Sequence, residues 1–459
     1  MLSLRLQVLF IIIMIVFIVG SMAYIFQYNA AINEYQIYGN KMGNNPDIGR
    51  DDLMGSSDQN VTSLSVEMRN YIFKPVQNEF IEDAQSRYIP NTITYNAFNV
   101  FGYSISQRSG NPYLNLSQEL NWSFIVTILL SFAILLISFD SISGERESHT
   151  LSLIISNSVP RIVLLTGKYI SIVISGILLT LPGFVISILI LIVAGIVNVN
   201  AIFLFETVVF IIAQLQIIAC MTALGMFCSV VSRSSNVSLL TSLTLWCVFL
   251  IFSPNLAVFS AEHIYGINNS ETVRAEIESA QDLINNAAPE GSWSMNGSDQ
   301  FYPKHQLRAK NQTNLMNAEK MINDAWYNDQ FRQYQKASMF SYISPVSLFE
   351  MVGESVTGNG YFRFRKNWND IHNFQGQFLI WFKEIDLKDK GSPHWYNPYE
   401  DCSTSRQKIE FDDIPLYLET DSTIPQRLTA AFPGAIALIL YAAVLFGITV
   451  LLFNRYDVR

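Results

Sequence analysis

The chain has 459 residues, of which 50% are hydrophobic and only 15% are charged, and its mean hydropathy is +0.25. Soluble domains carry about 25% charged residues, so this composition excludes an ordinary soluble protein and indicates a membrane protein. The net charge of −9 also argues against a nucleic-acid partner, because phosphate binding requires clustered cations.

Six apolar runs approach or exceed the roughly 18–20 residues that a bilayer-spanning helix requires. They cover residues 8–26, 122–139, 170–197, 201–231, 237–252 and 430–453. Most of these runs are too long and too continuous for the buried helices of a soluble protein. The sequence therefore predicts a polytopic α-helical membrane protein with six transmembrane helices.

The first run has an alternative interpretation as a cleaved signal peptide. A basic start, an apolar core and the small residues Ser21 and Ala23 are compatible with one. The apolar core is longer than the roughly 7–15 residues usual in such peptides, which favours a retained helix. Either interpretation leaves the following segment on the outer side.

The orientation of the helices follows from the basic residues of the short connections, which concentrate on the cytoplasmic side. With six spans, these residues all fall on one side; they are Arg5, Arg146, Arg161, Lys168, Arg233, Arg455 and Arg459. We therefore expect both termini and the 140–169 loop to be cytoplasmic.

Two long segments, 27–121 and 255–429, then lie outside. They separate a first helix (1–26), helices two to five with the 140–169 loop (122–254), and the sixth helix with its tail (430–459). Periodicity favours a helix within 68–90, strand-like structure in 91–105, and helices at 270–285 and 313–338. We expect a mixed α/β extracytoplasmic domain built from these two insertions.

Catalytic and metal-binding patterns are missing from the sequence. Cys220, Cys228 and Cys247 lie within the apolar runs, Cys402 stands alone outside them, and the histidines are scattered. No spaced Cys/His cluster or HExxH pattern occurs, so the sequence predicts neither a metal site nor a catalytic centre.

The polar stretch between the second and third runs contains "TGK", which invites comparison with a nucleotide-binding loop. A phosphate-binding loop needs G-x-x-x-x-G-K-[ST], and Ile162 and Tyr169 occupy the first glycine and last hydroxyl positions. The pattern fails twice, so we expect no ATP site there. Between Gly144 and Pro160, the spacing of Leu151, Ile154 and Ile155 instead predicts a short amphipathic helix at the membrane surface. Periodicity alone favours a simple connector under the bilayer over a handle by which a cytoplasmic protein moves the spans on either side.

This stretch, "DSISGERESHTLSLIISNSVPRIVLLTGKYIS", resembles the membrane subunits of bacterial ABC-type exporters of the type 2 class, in the branch with long ectodomains. The matching positions that we assign to ATPase coupling are Asp140, Gly144, Glu145, Arg146, Glu147, Thr150, Leu151, Pro160, Arg161 and Lys168. The stretch "YISPVSLFEMVGESVTGNG" adds to the likeness. One position departs from the pattern, since His149 stands where a glycine is usual, and this puts the docking geometry there in question.

The resemblance implies a permease subunit of the bacterial cytoplasmic (inner) membrane, working as an exporter. It also implies a second permease subunit, as a homo- or heterodimer, and two separate ATPase subunits that carry ATP and Mg²⁺, with no cofactor on this chain. An alternative is a mechanotransmitter or envelope scaffold, whose outer domains act on a periplasmic partner without moving a substrate. The substrate itself is not indicated.

Three polar residues in the fourth run are candidates for the pathway, because polar groups within spans are functional candidates. They are Glu206, Gln214 and Gln216. Glu206 lies close to the boundary of the run, which favours exposure at the membrane interface. The two glutamines are better placed for hydrogen bonds between helices than for contact with a substrate.

Overall fold

The computed structural model describes residues 4–42, 61–84, 86, 89–104, 120–156, 160–288, 302–390, 392–398 and 413–455, and it is mostly helical. In this part of the chain six helices are long and apolar enough to cross a membrane. They are Leu6–Ile37, Trp122–Glu147, Arg161–Val193, Ala201–Val231, Ser235–Ile264 and Ile424–Asn454, numbered spans 1 to 6. The six predicted spans are therefore confirmed. We call the end of this bundle that carries the 140–169 loop the loop end, and the opposite end the domain end.

The elements follow one another along the chain with a single small sheet. The helices are α1 Leu4–Met42, α2 Val61–Val66, α3 Trp122–Phe124, α4 Ser131–Ser138, α5 Ser143–Glu147, α6 Thr150–Ser156, α7 Arg161–Val193, α8 Ala201–Val231, α9 Ser235–Cys247, α10 Ser253–Ile264, α11 Ser270–Ala287, α12 Tyr302–Ser341, α13 Pro345–Thr357, α14 Gly360–Asp386 and α15 Ile424–Asn454. The strands are β1 Arg69–Ile72, β2 Thr92–Tyr95 and β3 Val100–Ser104.

Two spans contain a π-helical turn. Span 2 has one at Ile125–Leu130, between α3 and α4, and span 5 has one at Val248–Phe252, between α9 and α10. The Trp246 indole N–H donates to Ser131 Oγ at 2.8 Å, so the two spans are bonded beside these turns. π-Helical turns are rare in proteins as a whole, and those that occur are often found at functional sites.

The core of the bundle is a continuous chain of aromatic rings. Phe17 of span 1 meets Phe184 of span 3 at 4.9 Å between ring centroids, and Trp122 of span 2 meets the same ring at 4.6 Å. A Cβ at Gly183 would lie 2.2 Å from the Phe17 ring. Only glycine therefore allows spans 1 and 3 to approach this closely, as is typical of membrane helices.

A polar domain, formed by the described parts of 61–104 and 265–423, covers one end of the bundle. Its sheet has the order β1-β2-β3, with both pairs antiparallel and Arg69 opposite Tyr95. Helix α14 packs on this sheet through Phe378 and Phe382, which are buried in one cluster with Tyr95. Helices from the second long segment and strands from the first thus share one core.

The helix predicted within 68–90 is wrong, because the described residues there form strand β1 followed by turns and irregular backbone. Arg69–Ile72 is a strand, although Phe73, Val76 and Phe80 recur at a helical spacing. Pro75 has no N–H to continue a helix and disfavours a helical backbone at Lys74. The predicted helices at 270–285 and 313–338 lie within α11 and α12, and the strand-like stretch contains β2 and β3.

Helix α13 belongs to the second long segment but packs among the spans. The Tyr441 hydroxyl, near the middle of span 6, donates to the carbonyls of Tyr342 and Ile343 at 2.9 and 2.6 Å. The Ser344 hydroxyl donates to the Phe249 carbonyl, near the middle of span 5, at 2.7 Å. Helix α13 therefore starts deep in the bundle and runs antiparallel to α15. Its 13 residues extend for only about 20 Å, too short to cross a membrane.

Candidate functional site

Two serines hold the start of the 140–169 loop. Ser229 Oγ, in span 4, accepts hydrogen bonds from the backbone N–H groups of Ile142 and Ser143, each at 2.9 Å. Ser238 Oγ, in span 5, donates to the Phe139 carbonyl at 2.6 Å. The first turn of the loop is thereby fixed to the ends of spans 4 and 5.

The loop contains two short helices instead of the single predicted one. Between α5 and α6 the backbone of His149 adopts a left-handed conformation, with φ of 56°. This conformation costs an L residue roughly 1–2 kcal/mol, and glycine adopts it without that cost. The left-handed backbone of the loop therefore explains why a glycine is usual at this position in the pattern that the loop resembles.

Arg146, a predicted coupling residue, is bonded within the chain. Its Nη1 donates to the Ser232 carbonyl at 2.6 Å and its Nη2 to the Val230 carbonyl at 3.2 Å. These carbonyls lie at the carboxyl end of α8, where helical acceptors lack intrahelical partners and a positive charge is favourable. Arg146 therefore joins the loop to span 4.

Arg161 and Lys168 tie the far side of the loop in the same way. Arg161 Nη1 donates to the carbonyls of Phe453 and Asn454 at 3.0 and 2.9 Å, which caps the end of span 6. Lys168 Nζ lies 2.6 Å from the Glu145 carboxylate. The loop is thus connected to spans 3, 4 and 6 by charge-assisted bonds.

A different set of residues forms the free face of the loop. Leu151, a predicted coupling residue, is only 3% exposed and anchors α6 in the bundle core, whereas Leu153 is 66% exposed. Glu147, Thr150 and Pro160 are exposed, and Asp140 and Gly144 are half-buried in the first turn. Sequence reasoning missed Leu153, although the assignment of its neighbours Leu151 and Ile154 to one face placed it on the other.

Glu206 is not exposed at an interface, as the sequence favours; its side chain is 4% exposed and forms an ion pair. Arg427 Nη1, from span 6, donates to Glu206 Oε1, and Asn78 Nδ2 donates to the same oxygen at 2.8 Å. A buried charge of this kind requires a partner, because desolvation of an unpaired carboxylate is very costly. The partner lies 221 residues away in sequence, so periodicity gave no sign of it.

This ion pair is the centre of a polar network that joins the polar domain to the bundle. Asn78 Nδ2 also donates to the Thr357 carbonyl at 2.9 Å, and Asn359 Nδ2 donates to Asn78 Oδ1 at 3.0 Å. Arg427 Nη1 reaches the Val356 carbonyl at 3.3 Å. The network therefore links span 4, span 6, the end of α13 and the segment before β2.

The other two candidate pathway residues lie apart from this network. Gln214 donates to Thr180 Oγ1 of span 3, an interhelical hydrogen bond. Gln216 is half-buried, and its Oε1 has no hydrogen-bond partner among the described residues. Within the described part of the chain, no group of three His, Cys, Asp or Glu residues could hold a metal ion.

A cavity of about 890 Å³ lies at the domain end. Its walls come from six stretches: residues 82–90 between β1 and β2, 121–128 at the start of span 2, 250–262 of span 5, 330–341 of α12, 347–354 of α13 and 361–364 of α14. We call it the domain-end cavity. None of the three candidate pathway residues of span 4 lines it.

Comparison with known proteins assigns the chain to a family. The profile of the ABC-2 family transporter proteins matches residues 2–458. No curated protein and no solved structure is significantly similar to the chain. The match covers nearly the whole sequence, all six spans and the loop between spans 2 and 3. The chain therefore belongs to the ABC-2 family of transporter proteins, as a multi-pass membrane subunit of the permease type.

Proposed function

We propose that this chain is the permease subunit of an ATP-driven exporter, and that the 140–169 loop receives the movement of two separate ATPase subunits. A second permease subunit completes the complex, and ATP and Mg²⁺ bind to the ATPases. The chain lies in the bacterial cytoplasmic membrane with the loop end inside. The distribution of Lys and Arg over the short connections supports this orientation.

The observation that carries the proposal is the construction of the loop. Its free face presents Glu147, Thr150 and Leu153 to solvent, while Arg146 and Arg161 bond the ends of spans 4 and 6. If a partner displaced α6, the loop-side ends of spans 4 and 6 would therefore move with it, and this movement could reach the domain end along the two helices. ATP can shift the permease between arrangements only if the ATP-bound ATPases prefer one of them.

Co-expression of this chain with the products of its neighbouring genes, followed by a search for a co-purifying ATPase, tests the docking face. We expect Leu153→Asp combined with Glu147→Lys to abolish association while the permease still inserts. Glu276→Lys, at an exposed position of α11, should have no effect. Arg146→Met should keep association and weaken the stimulation of ATP hydrolysis. Normal association of the double variant would contradict the assignment.

Cysteine labelling tests the orientation. In a Cys402→Ser background, Ser152→Cys on the exposed face of α6 should react with a membrane-impermeant maleimide only after the cells are opened. Glu276→Cys should react in intact cells once the outer layers of the envelope are permeable. The reverse pattern would place the loop outside and would remove the basis of ATPase coupling.

A mechanotransmitter is the second candidate, and the polar network favours it. Because Asn78 and Asn359 bond the polar domain to span 4 through Glu206, a movement of the spans would also move that domain. The two functions predict different behaviour of the domain-end cavity during the ATPase cycle. A transporter should change the accessibility of this cavity between nucleotide states, whereas a mechanotransmitter should keep it unchanged and alter only the polar domain.

A further inference from the structure

The charge of the domain-end cavity has a single sign. Five carboxylates line it, from Glu82, Asp83, Glu262, Glu350 and Glu354, and no Lys or Arg is among its described lining residues. The Arg365 guanidinium lies against the ring of Phe331, 4.4 Å from its centroid, and is not one of the residues that line the cavity. Those of the carboxylates that are ionised would repel an anion and attract a cation.

Buried polar atoms in the wall have few partners. Ser347 Oγ makes no hydrogen bond to any described residue, and Glu82 Oε2 and Ser123 Oγ have no partner there other than each other. Each belongs to a residue that lines the cavity and is more than nine-tenths buried. Leaving such atoms unsatisfied costs about 1–3 kcal/mol each, so an occupant that donates hydrogen bonds is favoured.

The carboxylates are held in place individually. Glu354 Oε2 accepts from the Tyr334 hydroxyl at 2.8 Å, and Glu354 Oε1 accepts from the Phe362 N–H at 3.2 Å. Glu350 lies one helical turn before it on α13 and is exposed to the cavity. The set does not converge into a metal-binding group. The carboxylates therefore suit a diffuse or organic positive charge better than a bare metal ion.

Apolar and aromatic side chains complete the walls. Phe124 of α3, Phe331 of α12 and Phe364 of α14 line the cavity, and Tyr334 and Tyr361 stack beside Glu354 at 3.9 Å between centroids. Aromatic faces attract organic cations by about 0.5–2 kcal/mol. Both π-helical turns contribute residues to the wall, and irregular turns within spans occur where they line a cavity.

We propose that the domain-end cavity binds an amphipathic organic cation, with the charged group beside Glu350 and Glu354 and the apolar part against the phenylalanines. The cavity volume lies in the range of about 300–1,000 Å³ that is typical of small-molecule sites. Naming such cations as the transported class rests on the proposed permease function, whereas binding to the cavity does not.

Binding of tetraphenylphosphonium to the full-length chain in nanodiscs, measured by scintillation proximity, tests the site. We expect Glu350→Gln with Glu354→Gln to weaken binding at least tenfold. Glu276→Gln, which removes an exposed carboxylate of α11, should leave binding unchanged. Tetraphenylborate, an anion of the same shape, should not compete. Equal binding by the double variant, or competition by the anion, would overturn the proposal.

Two controls separate a loss of binding from misfolding and from failure of the permease function. Glu350→Gln alone changes a residue that is exposed to the cavity, so a loss of binding in a monodisperse single variant cannot come from misfolding. Co-purification of the ATPase reports on the permease function independently. Normal ATPase association without cation binding would refute only the site, and cation binding without ATPase association would refute only the permease function.

Discussion

The two ends of the bundle use charge in opposite ways. At the loop end, Arg146 and Arg161 bond directly to the carboxyl ends of spans 4 and 6, so their charges connect helices. At the domain end, Glu350 faces open space, and other carboxylates line the same cavity. The difference agrees with the roles that we propose for the two ends, transmission of a displacement at the loop end and binding of a cation at the domain end.

Glu206 is the exception at the domain end, because it is a carboxylate with a buried cationic partner. Removing that partner should produce the largest effect. We expect Arg427→Met to destabilise the protein by about 3–5 kcal/mol, since it leaves a buried carboxylate without its charge partner. Thermal and denaturant unfolding of the purified chain would measure this. The double variant Glu206→Leu with Arg427→Met should recover part of the loss.

The exposed ion pair between Arg332 and Asp329 provides the control for this prediction. Its side chains are 74% and 52% exposed, so Arg332→Met should cost no more than about 1 kcal/mol. If Arg427→Met were no more disruptive than Arg332→Met, the polar network would not hold the polar domain to the bundle.

The carboxyl group of Glu82, at the domain end, should make the stability of the protein depend on pH. Burial raises the pKa of Glu82 to about 8, with smaller like-charge contributions from Glu350 and Asp83. The folded protein therefore binds more protons than the unfolded chain between about pH 4.5 and 8, and stability falls as the pH rises through this window. Each unit of pKa shift corresponds to about 1.4 kcal/mol, so Glu82→Gln should be more stable than the native chain at pH 8 by up to a few kcal/mol.

Ionisation of the cavity carboxylates should increase the affinity for the cation as the pH rises, whereas it lowers the stability of the fold. Burial also raises the pKa of Glu354, to about 7. A bound cation favours the ionised carboxylates, so tetraphenylphosphonium affinity should increase between pH 6 and 8.5. Burial raises the pKa of Glu350 to about 7 as well, so Glu350→Gln combined with Glu354→Gln should flatten the increase that equilibrium binding measures across this range. A profile that falls with pH would contradict the assignment of the charged group to these carboxylates.

At the loop end, Arg146→Met should destabilise the protein by about 1.5–3 kcal/mol, because it removes hydrogen bonds from a charged donor to two carbonyls of span 4. Leu153→Asp should leave stability almost unchanged, since that side chain is exposed. Unfolding measurements on the two variants would compare them. The opposite order would mean that Leu153, and not Arg146, is the structural residue.

The smallest effect concerns the turn between α5 and α6. His149→Gly should stabilise the chain by about 0.5–1 kcal/mol, because glycine removes the cost of the left-handed backbone. Ser148→Gly is the matched control at the adjacent position, where φ is −81° and glycine brings no such relief. A gain at both positions would show that flexibility, and not the sign of φ, decides stability in this turn.

The sequence predicted the spans well because hydrophobic length is a local property. It failed where distant segments decide the outcome. Strand β1 exists because it pairs with β2, about twenty residues later, and this pairing prevails over a helical spacing that Pro75 already weakens. Span 1 was predicted to end near Phe26, but α1 continues to Met42 through polar residues that carry no hydropathy signal.

The candidate site shows the same limit. The loop motif was found from its residue types, but the contacts of Arg146 with span 4 and of Arg161 with span 6 join residues 84 to 293 positions apart. The domain-end cavity combines side chains from six separate stretches, and its acidic residues are unremarkable within the stretches that contain them. Only the fold brings them together.

The π-helical turns of spans 2 and 5 have a mechanical consequence. Such a turn holds one residue more than an ordinary helical turn, so its loss would rotate everything beyond it by about 100° around the helix axis. The hydrogen bonds of Ser229 and Ser238 fix spans 2 and 5 at the loop end, so the rotation would occur on the domain side of each turn. The rotation would therefore turn the domain-side half of span 5 and the first residues of span 2, and it would change which of their side chains face the domain-end cavity.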